Sequence, residues 1–522
     1  MKIERTKNAT RNMIAGIILK MQQILMPFVM RTAMIYFMGV QYLGLNSLFS
    51  SVLQVLNLAE LGVGTAMVFS MYKPIAEDNH DEICALMKLY RSYYRIIGLV
   101  IALVGIILTP VIPRLIKGDI PSDLNIFTLY YMNLGATVLS YWLFAYKSAL
   151  LQAHQRTDLG SKVAIVTSTI QSFLQFLTIW LIKNYYCYLA IAILIQVVNN
   201  ICVSLIVNKY YPQYKAVGDL PQATISSINH RVKDLFTSKI GAIVVNSADT
   251  IVVSAFLGLT MLAIYQNYYF ILTSVIGFIS VGFSACTAGI GNSLIVESKE
   301  KNFNDLSKFT FLICWISGVC STCFLNLYQP FMRLWVGNKL MLNYAAVVCF
   351  VIYFYIYEIN SLLNLYKDAG GIWHKDRFRP LVTALSNLIM NLIMVNFWGI
   401  YGVLLSTVVS MIIVGMPWLF YNLFNTMFER RYFKGYVFGL IRYTCTSFIV
   451  CAISVGICNL VLFDDVITLG IRFIICVFVS NVAFLIAYRN TTELYECIEL
   501  MSKITHGKIN FTKIYKYVRK TV

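Results

Sequence analysis

Six ionisable residues fall inside long apolar runs of this sequence: Lys20, Arg31, Glu60, Lys239, Asp249 and Glu358. A charge at the centre of a bilayer costs on the order of 2.5 to 3.5 kcal/mol on insertion scales, so such a residue normally meets a partner or a water-filled cavity. Glu60 is the most conspicuous, in VLNLAELGVGTAM (residues 55 to 67). Guanidinium and ammonium groups match phosphate, and side-chain amides match sugar hydroxyls. Arg31, Lys20 and Lys239, with the amides Gln22, Gln23 and Asn57, are therefore the candidate ligands for an anionic, hydroxyl-rich cargo. Glu60, Asp249 and Glu358 are candidates for cavity charges that couple a transport cycle to a proton or sodium gradient. Asp249 has Asn246, Ser247 and Thr250 beside it as hydrogen-bonding neighbours. Gly62 and Gly64 either allow close helix contact or let a helix bend. The competing reading is structural: buried pairs holding helices together, or long side chains reaching out from helix ends.

The elements that must position these residues are membrane helices. Of 522 residues 58% are hydrophobic and 13% charged, and the mean hydropathy is +0.70, far from the composition of a soluble globular domain. Apolar stretches of 18 or more residues recur from end to end, each long enough to cross a core of roughly 30 Å. Breaks at Gly, Pro and charge clusters place spans near 12–38, 45–72, 94–113, 125–150, 162–182 and 187–208. After a polar stretch come 236–257, 261–295, 308–332, 342–366, 380–396 and 400–425, then 437–462 and 466–488. The fold class is thus an all-α polytopic membrane protein of about fourteen transmembrane helices. Glu60 falls in the second span, Lys239 and Asp249 in the seventh, Glu358 in the tenth.

The net charge of +18 would suggest nucleic acid in a soluble protein. Here 34 of the 42 Lys and Arg residues fall in the N-terminal arm, the even-numbered loops and the tail. Only Arg114, Lys117, Lys183, Arg333, Lys339 and Arg472 fall on the other face. Cytoplasmic loops carry that excess, so both termini are expected in the cytoplasm, and topology explains the charge without nucleic acid. The segment HDEICALMKLYRSYYR (80 to 95) is read either as a helix along the inner membrane surface or as a helical linker. The thirteen cysteines are scattered through apolar segments, and the close pair Cys320 and Cys323 has no second pair or histidine partner. Core packing accounts for them, and neither a metal nor a cofactor is expected. The apolar segment after the basic N-terminus is too long for a signal h-region and is read as a retained first helix.

Two six-span sets joined by the longest internal loop suggest duplication. YFMGVQYLGL (36 to 45) aligns with AFLGLTMLAI (255 to 264) at an offset of 219, pairing Phe37 with Phe256, Gly39 with Gly258 and Leu43 with Leu262. The offset also pairs Lys20 with Lys239. The expected organisation is a six-helix bundle over 1–208, a cytoplasmic linker over 209–235, a second six-helix bundle over 236–426, two additional transmembrane helices over 427–488 and a basic cytoplasmic tail over 489–522. Halves with an even number of spans share one orientation, an arrangement known in transporters that places substrate between them.

The segments YLGLNSLFSSVLQVLNLAELGVGTAM, FSMYKPIAEDN, LLQAHQRTDLGSKV, NKYYPQYKA and SADTIVVSAFLGLTMLAIYQNYYFI carry a resemblance covering most of the chain. It is to the polysaccharide and O-antigen repeat-unit flippases of the multidrug, oligosaccharidyl-lipid and polysaccharide (MOP) exporter superfamily. The resemblance implies two MATE-like six-helix bundles in a V-shaped arrangement with two extra C-terminal helices. It further implies translocation of polyprenyl-diphosphate-linked oligosaccharides to the outer leaflet of a bacterial inner membrane by alternating access. Implied partners are the lipid-linked oligosaccharide, membrane lipids, a proton or sodium counter-ion, and the glycan polymerase and export proteins. Carry-over by residue is limited to Glu60, Gly62, Lys73 and Pro74 in the first block and Asp249 and Gly258 in the last.

A cationic-drug exporter or a peptidoglycan-precursor flippase of the same superfamily is the alternative; a drug exporter would favour acidic excess among intramembrane charges, and here bases and acids are equal in number. A membrane glycosyltransferase or polymerase is disfavoured because the connections on the weakly basic face are short. No G-x-x-x-x-G-K-[ST] sequence is present to drive transport with ATP, and the chain is not expected to be an enzyme.

Overall fold

The computed structural model describes residues 5–118, 120–461 and 466–504. Every regular element among them is helical. In chain order these are α1 (Arg5–Phe37), α2 (Val40–Leu56), α3 (Val63–Ala76), α4 (His80–Leu108), α5 (Ile126–Trp142), α6 (Ser148–Ala153), α7 (Thr157–Leu177), α8 (Tyr185–Tyr210), α9 (Gln222–Leu257) and α10 (Leu259–Val296). They continue with α11 (Lys299–Val336), α12 (Tyr344–Ala369), α13 (Trp373–Asp376), α14 (Arg379–Trp398), α15 (Ile400–Ser410), α16 (Met416–Thr426), α17 (Phe433–Cys458), α18 (Val466–Tyr488) and α19 (Thr492–Ile504). Among the described residues, twelve helical stretches are long and apolar enough to cross a membrane. The other two of the fourteen expected spans correspond to α5, with 17 residues, and to the apolar end of α9, Ile243–Leu257.

The chain divides into two compact units, Met1–Gln266 and Asn267–Val522. The first takes in α9, whose N-terminal part covers most of the polar stretch after α8 as regular helix. Within this unit α1 packs on α7, α2 and α3 on α9, α4 on α5, and α7 on α8. In the second unit α11 is the central post, flanked by α12, α17, α18 and α19. Its core is built from Leu306, Phe311, Cys314, Leu362, Leu363 and Phe484, all fully buried. Large apolar side chains on the outer faces of α17 and α18, among them Phe438, Phe448, Phe473 and Phe478, are exposed, as expected of helices bordered by lipid rather than water.

Local sequence explains where these helices start and stop. Asn79 caps α4: its Oδ1 accepts from the Glu82 amide and its Nδ2 donates to Glu82 Oε2, at 3.2 and 3.0 Å. Asp81 and Glu82 in the first turn oppose the helix dipole favourably. Residues 80 to 95 therefore do not form a separate surface helix. They are the first half of α4, with Ile83, Leu86, Tyr90 and Tyr94 buried. The two aligned glycines share one backbone conformation: Gly39 has φ 122° and ψ 157°, and Gly258 has φ 90° and ψ 171°. Side-chain-bearing residues rarely enter that region, so a glycine is required at both links, α1 to α2 and α9 to α10.

A buried carboxylate organises the α6–α7 corner. The Asp158 side chain is fully buried, with Arg156 Nε at 2.9 Å and Lys162 Nζ at 3.3 Å. Its backbone N–H donates to Asn12 Oδ1 at 2.8 Å, and Asn12 Nδ2 donates to Gln155 O at 3.0 Å, tying α1 to this corner. Asp376 repeats the device in the second unit, with Arg379 Nε at 2.7 Å, Lys367 at 3.7 Å and a hydrogen bond from Asn422 Nδ2 at 2.9 Å. Breaking a buried pair by removing one partner costs about 3 to 5 kcal/mol. Asp158→Ala should fall at the lower end, because Lys162 is largely exposed. A lowered thermal midpoint in detergent, absent in a Lys162→Ala variant, checks this.

His154, next to that corner, lies against Tyr211 with ring centroids 4.3 Å apart, and its Nδ1 is 2.9 Å from Leu150 O. Burial pushes its pKa below the usual histidine value. The folded state thus favours the neutral ring, and its stabilisation is present above the ordinary histidine pKa of about 6.5 and is lost as the pH falls below that range. Amide exchange in residues 148–156, corrected for intrinsic rates, should accelerate on going from neutral pH to pH about 5. That extra acceleration should be absent in His154→Gln.

Candidate functional site

The second apolar run is not one helix. α2 ends at Leu56, a single 3₁₀ turn covers Asn57–Glu60, Leu61 is extended, and Gly62 is left-handed with φ 87° before α3 begins at Val63. This break sits near the middle of the Val40–Ala76 span. Gly62 favours it by supplying a conformation that costs other residues about 1 to 2 kcal/mol. A β-carbon at Gly62 would lie 2.7 Å from Leu235 Cβ and 3.1 Å from Val232 O, so α9 lies directly against the break. Of the two roles open to Gly62, bending and close contact, the position serves both.

Three tyrosines from α4 and α5 hold the broken segment. Tyr94 OH donates to Glu60 Oε1 at 3.2 Å, and Tyr90 OH donates to Tyr94 OH at 2.6 Å. Tyr141 OH donates to Asn57 Oδ1 at 3.1 Å and its ring meets Tyr94 edge-on at 5.3 Å. Gly64 leaves room for this cluster: a β-carbon there would be 3.1 Å from Tyr90 OH and 3.2 Å from Glu60 Oε1. Glu60 is thus a half-buried carboxylate beside the start of α3, where the helix dipole favours negative charge. Tyr94→Phe should remove a charge-assisted hydrogen bond and cost about 1 to 3 kcal/mol. Calorimetry of the purified protein checks it, with Tyr93→Phe, whose hydroxyl bonds Asn229 at an exposed position, as the mild comparison.

Arg31 lies elsewhere in the same unit. It is half-buried on α1, and its Nη1 donates to Gln266 O at 3.4 Å. Gln266 Nε2 donates to Thr250 Oγ1 at 2.8 Å. Ser247 Oγ donates to Gln54 Oε1 at 3.3 Å, linking α9 to α2. Asp249, beside these, is buried. Arg31, Gln54, Ser247, Thr250 and Gln266 therefore form a polar seam through α1, α2, α9 and the start of α10.

The other candidates are placed differently. Gln22 is buried and faces α7, donating to Ile165 O at 3.0 Å and Thr169 Oγ1 at 2.6 Å. Lys20 and Gln23 are exposed on α1. Lys239 belongs to α9, but its side chain and that of Asn246 lie outside the described residues. Glu358 is in the second unit, 1% exposed on α12, and its Oε1 has no hydrogen-bond partner among the described residues. The described residues contain no group of three or more His, Cys, Asp or Glu able to hold a metal ion.

Tyr90, Tyr94 and Tyr141 are site residues that sequence reasoning did not single out. The available signal was the four-residue spacing of Tyr90 and Tyr94, which puts both rings on one helix face.

No family model matches this sequence, and no curated protein matches it. Solved structures do. A lipid II flippase, MurJ, in an inward closed conformation is similar over 92% of this chain and 99% of its own, with TM-score 0.65 and 15% identity. An inward-facing multidrug resistance MATE family transporter of the MOP superfamily is similar over 79% of this chain and 97% of its own, with TM-score 0.61 and 13% identity. A MOP superfamily transporter from Pyrococcus furiosus covers 80% of this chain and 95% of its own at TM-score 0.52 and 13% identity. At such identities the likeness speaks to architecture, and the chain has the all-helical fold of these solved flippase and transporter structures.

Proposed function

We propose that this protein is a flippase that moves polyprenyl-diphosphate-linked oligosaccharide repeat units from the inner to the outer leaflet of a bacterial plasma membrane. In this reading it works by alternating access, supplies capsule, exopolysaccharide or O-antigen assembly, and has both termini in the cytoplasm. The observation that carries the reading is the break at Asn57–Glu60, which interrupts the α-helix and sets a carboxylate near the middle of a candidate membrane span. Irregular backbone at membrane depth is tolerated only where it is buried in protein or lines a water-filled cavity, and discontinuous helices mark substrate and ion sites in transporters. The polar seam around Arg31 supplies the guanidinium that suits a diphosphate, and Asn57 supplies an amide for hydroxyl groups. Lys20 and Lys239 are assigned to the entry of the anion. The hydrogen bonds of Gln22 to α7 favour a packing role over cargo contact.

No covalent step is needed. A diphosphate cannot cross bare hydrocarbon, and a polar route that replaces its hydration lowers that barrier. Glu60, Asp249 and Glu358 are the groups whose change of charge would couple the cycle to a proton or sodium gradient. A prenyl diphosphate bearing a disaccharide and a lipophilic cationic dye, titrated separately into the detergent-solubilised protein, test the choice of cargo. Binding of the diphosphate with no displacement by the dye is the expected result. Saturable binding of the dye alone would replace this reading with that of a cationic-drug exporter.

A further inference from the structure

In the second unit a cavity of about 360 Å³ opens where α11, α17 and α19 meet. These are the Lys- and Arg-rich ends of the helices, the same end that carries Lys299, Lys301, Arg430 and Lys434. Arg431 and Arg442 both line it, eleven residues apart along the 3₁₀ turn and α17. At about 1.5 Å per residue they stand roughly 16 Å apart, so the cavity is a trench along the helix. Between them the wall is Gly435 and Gly439, with no side chain to fill it, and the exposed ring of Phe438. That ring and the exposed Ile441, Phe448 and Ile449 on α17 give the trench the apolar border that a lipid-facing helix presents.

The guanidiniums keep donors to spare. Arg431 uses Nε on Glu429 at 2.7 Å and Nη2 on Tyr432 OH at 2.9 Å. Arg442 has Glu493 at 3.7 Å, beyond hydrogen-bond distance, and its group lies over the rings of Tyr443 and Tyr488. A guanidinium has five N–H donors, so each can still take a phosphate oxygen. Glu493 is the one acid in the wall, and Tyr443 OH donates to its Oε1 at 3.2 Å.

We infer that this trench binds the headgroup of an anionic glycerophospholipid, with phosphate on Arg442 or Arg431 and an acyl chain running along Gly435 and Gly439. The volume admits a phosphate and a glycerol, and the site lies in the second unit, apart from the Arg31 seam and the Glu60 break of the first. Glu493 on α19 stands beside Arg442 on α17 at one end of the trench and opposes the anion there.

The test is native mass spectrometry of the full chain released from nanodiscs of phosphatidylcholine doped with phosphatidylglycerol, and separately doped with a prenyl diphosphate. The expected result is retained phosphatidylglycerol, reduced about tenfold in Arg431→Gln/Arg442→Gln, in which neither end of the trench keeps a guanidinium for the phosphate. Glu493→Gln should move the other way and raise retention, a sign that a merely destabilised protein would not give. Equal retention of phosphatidylcholine, or retention unchanged in the double variant and in Glu493→Gln, would overturn the inference. Retention of the prenyl diphosphate with no phosphatidylglycerol would also overturn it, in favour of a second cargo contact.

Discussion

Arg31→Ala should reduce movement of a diphosphate-linked lipid by about two orders of magnitude, while Arg31→Lys should keep part of the activity. Truncating a charged group that meets a desolvated charged partner costs about 2 to 5 kcal/mol, and about 1.4 kcal/mol corresponds to a factor of ten. The lysine variant keeps the charge and loses the planar fork that meets a phosphate with two parallel hydrogen bonds. Arg31 also donates to Gln266 O, so a structural contribution has to be separated from a functional one. The two variants are therefore compared for thermal midpoint before they are compared for transport. If Arg31→Ala and Arg31→Lys are equally stable in detergent and differ severalfold in transport, the phosphate role is supported.

Gly62→Val should be the most disruptive single substitution near the break. It combines two costs: about 1 to 2 kcal/mol for forcing a side chain into the left-handed region, and about 1 to 3 kcal/mol for overpacking against α9. The second is expected because even a β-carbon would stand 2.7 Å from Leu235 Cβ and 3.1 Å from Val232 O. Leu235→Gly, which removes that Cβ, should relieve part of the overpacking, leaving the φ cost and the contact with Val232 O in place. A double-mutant cycle read by thermal denaturation separates them: a coupling of about 1 kcal/mol or more is expected, and additive effects would mean that α9 does not press on the break.

Much of this architecture was legible in the chain. Long apolar runs register as membrane helices because each must satisfy its backbone polar groups internally, and length alone identifies them. The Gly39 and Gly258 alignment was legible for a sharper reason, since both positions need a conformation that only glycine adopts at ordinary cost. Asn57–Glu60 was harder. Hydropathy averages over a window and passes straight through a four-residue 3₁₀ turn, so the second span reads as continuous while its charge stands out. The tyrosines were hidden because aromatic residues at four-residue spacing in an apolar helix are usually core, and only the fold brings Tyr94 to Glu60. Gln22 shows another limit: an amide within the first span reads as a cavity ligand, and only the fold brings its Nε2 to acceptors on α7, 143 and 147 residues away in sequence. Composition identifies polar groups, and which helix face they occupy follows from packing that no single segment encodes.

Reconstitution in proteoliposomes tests the central claim most directly. A fluorescent polyprenyl-diphosphate-linked oligosaccharide in both leaflets is exposed to an impermeant quencher, with and without an imposed proton or sodium gradient. Wild type should expose the inner-leaflet pool to the quencher, while Arg31→Ala and Glu60→Gln, inserted to the same level, should leave most of it protected. Gradient-driven movement in wild type, with Glu60→Gln reduced to the rate that wild type shows without a gradient, would assign the coupling charge to the broken helix. Wild-type protein that leaves the inner pool protected while accumulating a cationic dye in the same vesicles would contradict the account.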